Sequence, residues 1–438
     1  MSLFLIFIFS LLFIFLGRVI FKNWFNHIVF YTAIWGGMLF LYELKLLKYH
    51  SLTMHAWIVI IGSFLSFIIG TLTYTYSKGI FKEAKPSIRP QYLGDFQSSL
   101  KFIKITILVT ATISLLGALQ HWAVLFNKYG SLPSILINAN EIYRLRVQDE
   151  IPGVLPYLSI FGFVAVFFAA IESGIKKKFT ILSLYSLLGV IIKEFALLGR
   201  HGILTGFIEY FVVLYFIRKI INANKTEIGS FRIERGTIVS TILLIIFFVT
   251  SIALVKNVRG AFESYRSSTK ELNKLKGGFL ITPSIYLYAS SHVGVLSRYL
   301  FENSEINNFG ENTFLPAHRI ISKFGVINPP SYYQKGYNIP MWTNTGTYLR
   351  ELYSDFGPIG VFLIPYLLGL ITTFFWYRLF LSGNLIDLLI ISHLYLIIIM
   401  SFLTMSTRSS NFIMSFVIIY LLLKMLDKFC ANNENNAT

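Results

Sequence analysis

The sequence predicts an all-α polytopic membrane protein with eleven transmembrane helices and one long, partly helical extracytoplasmic loop. Two compositional facts and one pattern predict it. Hydrophobic residues fill 55% of the 438 positions and charged residues only 13%, about half the ~25% charged share of soluble domains. A soluble body of this size would lack the polar surface to cover itself, which excludes the soluble enzyme classes for the whole chain. The pattern is a series of apolar runs close to the ~20 residues a helix needs to cross the hydrocarbon core.

Taken in order, the runs lie at 2–17, 28–45, 55–76, 105–125, 154–173, 180–198, 202–217, 237–255, 357–377, 384–404 and 410–425. The first has no basic start and no small-residue cleavage pattern, so it reads as a retained span and not as a signal peptide. Lys and Arg collect in short cytoplasmic loops, and their positions set the orientation. Lys78, Lys82, Lys85, Arg89, Lys101 and Lys104 follow the third run; Lys176, Lys177 and Lys178 follow the fifth; Arg218, Lys219, Lys225, Arg232 and Arg235 follow the seventh. All three clusters fall on one side when the N-terminus is outside and the C-terminus inside. The net charge of +17 is then a signature of orientation, and no nucleic-acid partner is expected.

This ordering divides the chain into four parts. Residues 1–255 carry helices one to eight, with a short extracytoplasmic loop at 126–153. Residues 256–355 form the long extracytoplasmic loop, 356–428 carry the last three helices, and 429–438 are a cytoplasmic polar tail. Within the long loop, 280–300 is apolar enough to span, to re-enter or to lie on the membrane.

The lone cysteine, Cys430, forbids an internal disulfide and any multi-cysteine metal site. None of the eight histidines pairs at a metal-ligand spacing, and no phosphate-binding glycine loop follows a strand. Neither a metal nor a cofactor is expected. What stands out is charge near the outer membrane face. Arg200 and His201 lie in the turn Gly199-Arg200-His201-Gly202, Lys193 and Glu194 just inside the sixth run, and Glu209 within the seventh. Arg408 sits in the turn Thr407-Arg408-Ser409. A charge at membrane depth costs at least ~2.5–3.5 kcal/mol, so it faces a partner or a polar cavity. The long loop adds His292, Arg298, His318, Arg319, Arg350, Glu351 and Asp355. Arg266 and Gly277 stand at an R-x10-G spacing, which chance alone supplies in a chain with this much Arg and Gly.

Three segments of the C-terminal half carry a resemblance. They are Gly310-Glu-Asn-Thr-Phe-Leu-Pro316, Asn344-Thr-Gly-Thr-Tyr-Leu-Arg350 and Tyr353-Ser-Asp-Phe-Gly-Pro-Ile-Gly360, the last followed by an apolar run with Gly369. Their order resembles the final long loop and following helix of the O-antigen polymerases, the Wzy-type oligosaccharide repeat-unit polymerases. The Gly199-Arg200 turn is also similar to that family's G-R at a helix start.

The resemblance implies a glycosyltransferase of the bacterial cytoplasmic (inner) membrane. It would transfer a growing glycan from undecaprenyl pyrophosphate to the next lipid-linked repeat unit, for an O-antigen or capsule product. Undecaprenyl-pyrophosphate-linked oligosaccharides would be its substrates, with a flippase and a chain-length regulator as partners. The departing pyrophosphate calls for preorganised cations, and arginine binds phosphate through a planar fork. Arg200, Arg408 and Arg319 are the expected pyrophosphate ligands, with His201, Arg298, Arg350 and Tyr348 as further substrate contacts. Asp355 is the first choice for the base that takes the acceptor proton, and His318 the second. Asp355 also has a rival role as the N-cap of a helix starting at 357. Tyr332, Tyr333, Tyr337, Trp342 and Tyr348 are the aromatic residues offered for a glycan groove, with loop packing as their plainer role. An O-antigen ligase and a transporter of the same lipid-linked glycan are the alternative functions.

Overall fold

A computed structural model describes residues 3–77, 96–138, 141–142, 145, 155, 157–197, 199–223, 283–302, 309–330, 334–340 and 342–437. These residues are mostly helical. The helices are α1 (Leu3–Phe21), α2 (His27–Glu43), α3 (Met54–Ser77), α4 (Phe96–Tyr129), α5 (Leu132–Ile137), α6 (Ile160–Lys176), α7 (Ile181–Ala196) and α8 (His201–Ala223). After them come α9 (Pro283–Ser290), α10 (His292–Phe301), α11 (Leu315–Ser322), α12 (Tyr348–Ser382), α13 (Leu385–Met400), a 3-10 turn (Ser406–Arg408) and α14 (Ser410–Ala437). The short strands β1 (Tyr337–Asn338) and β2 (Trp342–Thr343) pair antiparallel.

Each apolar run within the described residues coincides with a helix; the run at 237–255 lies outside them, as do Arg266 and Gly277. Among the described residues α1, α3, α4 (from Ser99) and α12 are long and apolar enough to cross a membrane. Helix α1 shows why lipid is the expected surroundings: Phe4, Leu5, Phe7, Leu11, Leu12 and Phe15 are all exposed, an apolar surface that water does not tolerate. The polar end of the chain is helical too, since α14 runs on to Ala437.

Helix starts follow their caps. The Asn26 side chain accepts from the Val29 N–H at 3.0 Å and Thr180 from that of Ser183 at 3.3 Å, each satisfying an amide that the first helical turn leaves orphaned. Inside α12, Gly357 adopts φ 61°, ψ −151°. Only glycine takes this conformation readily, and Pro358 bars the helical one from the residue before it. The result is a short helical segment ending at Phe356 and, beyond the kink, the apolar length that the sequence starts at 357.

The chain forms two compact units. Unit 1 comprises residues 1–84, 261–376 and 394–410. Its core holds Tyr31, Trp35, Phe64, Phe67, Val293, Leu296, Leu349 and Leu352. Helices α3 and α12 meet here almost backbone to backbone: a Cβ on Gly70 would lie 1.9 Å from the Tyr366 carbonyl oxygen, and one on Gly369 2.1 Å from that of Phe67. Close approach through small residues is the usual means of joining helices in lipid, where apolar burial supplies little drive.

The described part of the stretch at 280–300, from residue 283, is packed within the protein. It breaks at Ser291 into α9 and α10, of 8 and 10 residues, each too short to cross a bilayer. Val293, Val295 and Leu296 are buried against protein. Tyr49 Oη pairs with Ser290 Oγ at 2.7 Å, and the Thr53 N–H donates to Ser297 Oγ at 3.0 Å, so the α2–α3 connection is fastened to these helices. Unit 1 thus gathers the α2–α3 connection, α9, α10, the β1–β2 hairpin and residues 401–408 at one end. The α1–α2 turn lies at the other, where Phe21 packs on Trp376 at 5.5 Å.

Unit 2 comprises 85–260, 377–393 and 411–438, with α4, α6, α7 and α8 packed together. Ser114 of α4 fits between Gly162 and Gly189, on each of which a Cβ would lie 2.6 Å from its Oγ. Trp122 Nε1 donates to the Ile192 carbonyl at 3.0 Å.

Candidate functional site

In unit 1 two of the motif segments, 310–316 and 353–360, are joined by hydrogen bonds, and the third runs into the same helix, α12. Asp355, in the last turn before the kink and 1% exposed, accepts four hydrogen bonds. Oδ1 takes the Asn312 N–H (2.9 Å) and its Nδ2 (2.7 Å); Oδ2 takes the Thr313 N–H (2.6 Å) and its Oγ1 (2.7 Å). A carboxylate on α12 therefore caps the 310–314 turn, forty residues earlier in the chain. This differs from the role of N-cap to a helix at 357, because the side chain points away to another segment.

Asn312 is the hub. Its Oδ1 accepts from Gln334 Nε2 at 2.7 Å and from Arg408 Nη1, while its Nδ2 is given to Asp355. Arg408, in the 3-10 turn, also faces Glu351 Oε1 at 3.4 Å, with 9% and 8% of the two side chains exposed. Glu351 Oε2 accepts the Met405 N–H at 2.7 Å. Removing one partner from a buried pair like this costs about 3–5 kcal/mol, since a desolvated charge is left behind.

Arg350 does a different job. It is 3% exposed, donating Nη1 to the Asn344 carbonyl (3.3 Å) and Nη2 to that of Lys335 (2.6 Å). Its guanidinium lies 5.5 Å from the ring centres of both Tyr299 and Tyr337. It clamps the two sides of the hairpin together. His292 is also buried: Nδ1 faces the Thr345 carbonyl at 3.1 Å and Nε2 that of Tyr288 at 2.6 Å, and burial lowers its pKa below the ordinary 6.5.

The remaining predicted residues fall as follows. His318 and Arg319 are half-buried on α11, which packs against the 3-10 turn of Arg408; His318 Nδ1 faces the Phe314 carbonyl at 3.3 Å. Arg298 is half-buried on α10. Tyr348 lies deep between α2 and α3, its hydroxyl 2.7 Å from that of Tyr31, a packing role and not a groove. Tyr337 is buried under Arg350, and Trp342 is exposed; Tyr332 and Tyr333 lie outside the described residues.

Arg200 and His201 belong to unit 2, at the start of α8, both half-buried. Beside them Glu194 accepts from Lys193 Nζ at 3.0 Å and from the Gly202 N–H at 3.3 Å, so this carboxylate caps α8 while pairing with its neighbour. Glu209, within α8, is 1% exposed and its Oε1 has no hydrogen-bond partner among the described residues.

The structure thus joins Asp355, Arg408, Glu351 and Arg350, with α11 alongside, in unit 1, whereas Arg200 belongs to unit 2. Asn312, Thr313 and Gln334 are the site members that charge and acid–base chemistry do not single out; the run of polar residues between Gly310 and Phe314 is the signal that marks two of them. Among the described residues no group of His, Cys, Asp and Glu is placed to hold a metal ion. Comparison of the chain with protein-family models, with curated proteins and with solved structures found no match.

Proposed function

We propose that the chain is a membrane glycosyltransferase that polymerises undecaprenyl-pyrophosphate-linked oligosaccharide repeat units on the outer face of the bacterial cytoplasmic membrane. The observation that supports this reading is the meeting of the family-like segments: Asp355 of 353–360 binds Asn312 and Thr313 of 310–316, while Arg350 of 344–350 holds the Lys335 carbonyl beside Gln334, which donates to Asn312. Preorganised polar groups at the end of a membrane helix suit a reaction in which charge develops on a departing pyrophosphate.

In this reading the acceptor hydroxyl oxygen bonds to the donor's anomeric carbon as the carbon–oxygen bond to pyrophosphate breaks. The leaving pyrophosphate keeps the electron pair, and the hydroxyl proton passes to a base. Arg408 and Arg319, both of unit 1, are the proposed pyrophosphate ligands. Asp355, saturated by four donors, is assigned the work of positioning the 310–314 turn, and His318 on α11 the work of accepting the proton.

Deleting the gene and resolving the cell's polysaccharide on a gel tests the reading. A polymerase deletion leaves one repeat unit on lipid A core and no ladder. Loss of all glycan from the core would mean a ligase or a flippase, and an unchanged ladder would remove the function altogether.

A further inference from the structure

One face of α12 is apolar and uncovered: Ile359, Leu363, Leu367 and Ile371, at four-residue spacing, are all exposed. In a helix apolar enough to cross a membrane, that stripe is where lipid lies. At the kink it meets Phe356, on whose ring Phe309 packs edge-on at 4.9 Å. Gly310 allows the approach. Its φ is +73°, and a Cβ there would lie 2.9 Å from the Phe314 ring and 3.7 Å from that of Phe356.

From this point the apolar surface continues outside any span. Phe309 is 80% exposed, Phe324 78% and Val326 72%, and Phe314, Ile320 and Ile321 are exposed with them. The segment is nonetheless held in shape. Leu315 is buried, Asn312 and Thr313 are bonded to Asp355, and successive turns end at Gly325, whose N–H donates to Ser322 at 3.0 Å. A fixed apolar face of this kind marks a surface that something covers. His318, Arg319 and Lys323 alternate with its apolar residues, the composition of an element lying in the boundary between headgroups and acyl chains.

We infer that residues 309–326 are an interfacial foot, resting on the bilayer surface at their end of unit 1. Phe309, Phe324 and Val326 enter the acyl boundary, and Lys323 meets anionic headgroup phosphates. Lipid is the occupant because the patch continues the lipid-facing stripe of α12 without a polar break at Phe356 and Phe309. The inference stands apart from the glycosyl-transfer reading, so polymer formation is not its readout.

Nitroxide labels decide it. In a Cys430→Ser background the full chain carries Phe324→Cys, Val326→Cys or, as a water-exposed reference, Glu302→Cys. Each is reconstituted in nanodiscs of phosphatidylethanolamine and phosphatidylglycerol, and collision with molecular oxygen and with a neutral nickel chelate is measured. Labels at 324 and 326 are expected to collide with oxygen more than with nickel, with nickel access several-fold below that at 302. Nickel access equal to that at 302 places the foot in water and overturns the inference. Shielding from both reagents means that protein covers the patch, and overturns it equally.

Discussion

Asp355 carries a result that depends on individual hydrogen bonds. Each oxygen accepts from two donors, so an amide in its place must turn an NH2 toward one pair. Facing Thr313 is the milder choice, because a hydroxyl can reverse its role, but a buried N–H is still left without an acceptor, at about 1–3 kcal/mol. Asp355→Asn is therefore expected to lower the thermal unfolding midpoint of the detergent-purified protein by several degrees, and Asp355→Ala by more. Equal midpoints for wild type and Asp355→Asn would show that the four bonds contribute nothing. At this scale the sequence yields charges readily: Asp355, Arg350, Glu351 and Arg408 all stand out against apolar surroundings. Asn312 does not, since a neutral amide in a loop carries no sign of becoming the point where Gln334, Arg408 and Asp355 meet. Tyr348 misleads for the opposite reason, because a tyrosine beside polar loop residues suggests a sugar contact while its neighbours on α12 draw it into the core.

At the scale of elements, the α3–α12 crossing is the contact with least room. Gly70→Val and Gly369→Val each place branched carbons where the opposing carbonyl already stands, so the helices must part and lose the packing that joins them. Both variants are expected to aggregate on heating in detergent well below wild type, followed by fluorescence-detected size exclusion. Gly37, where a Cβ meets nothing within 4 Å, supplies the control: Gly37→Ala should leave the profile unchanged. The helices themselves are legible from length and hydropathy, and the start at 357 is fixed by its glycine and proline. The crossing is not, because glycines inside an apolar run look alike whether they face lipid or a neighbouring backbone. Residues 283–300 show the limit of hydropathy alone, since an apolar run buried by protein and one buried by lipid have the same composition.

For the whole molecule the open quantity is orientation. With the Lys and Arg clusters cytoplasmic, as the sequence leads one to expect, the end of unit 1 bearing the Asp355 network is expected outside the cell. With Cys430→Ser removing the native thiol, Glu302→Cys should react with an impermeant maleimide in intact cells, and Ser77→Cys only after the membrane is opened. The reverse pattern would invert the topology. Charge gives an expected alternation of sides, and unit 1 collects at one end segments that the pattern assigns to one side. The division into two units was not readable, because it follows contacts between helices distant in sequence. One further property comes from the kink at Gly357. It fixes where the lower part of α12 begins its rotation, and Gly369 must arrive facing Phe67. Adding or deleting one residue between them turns everything beyond by about 100°, presenting a side chain to α3 in place of a glycine. This stretch can therefore drift in composition yet not in length, and length variation between related chains is to be sought in the loops instead.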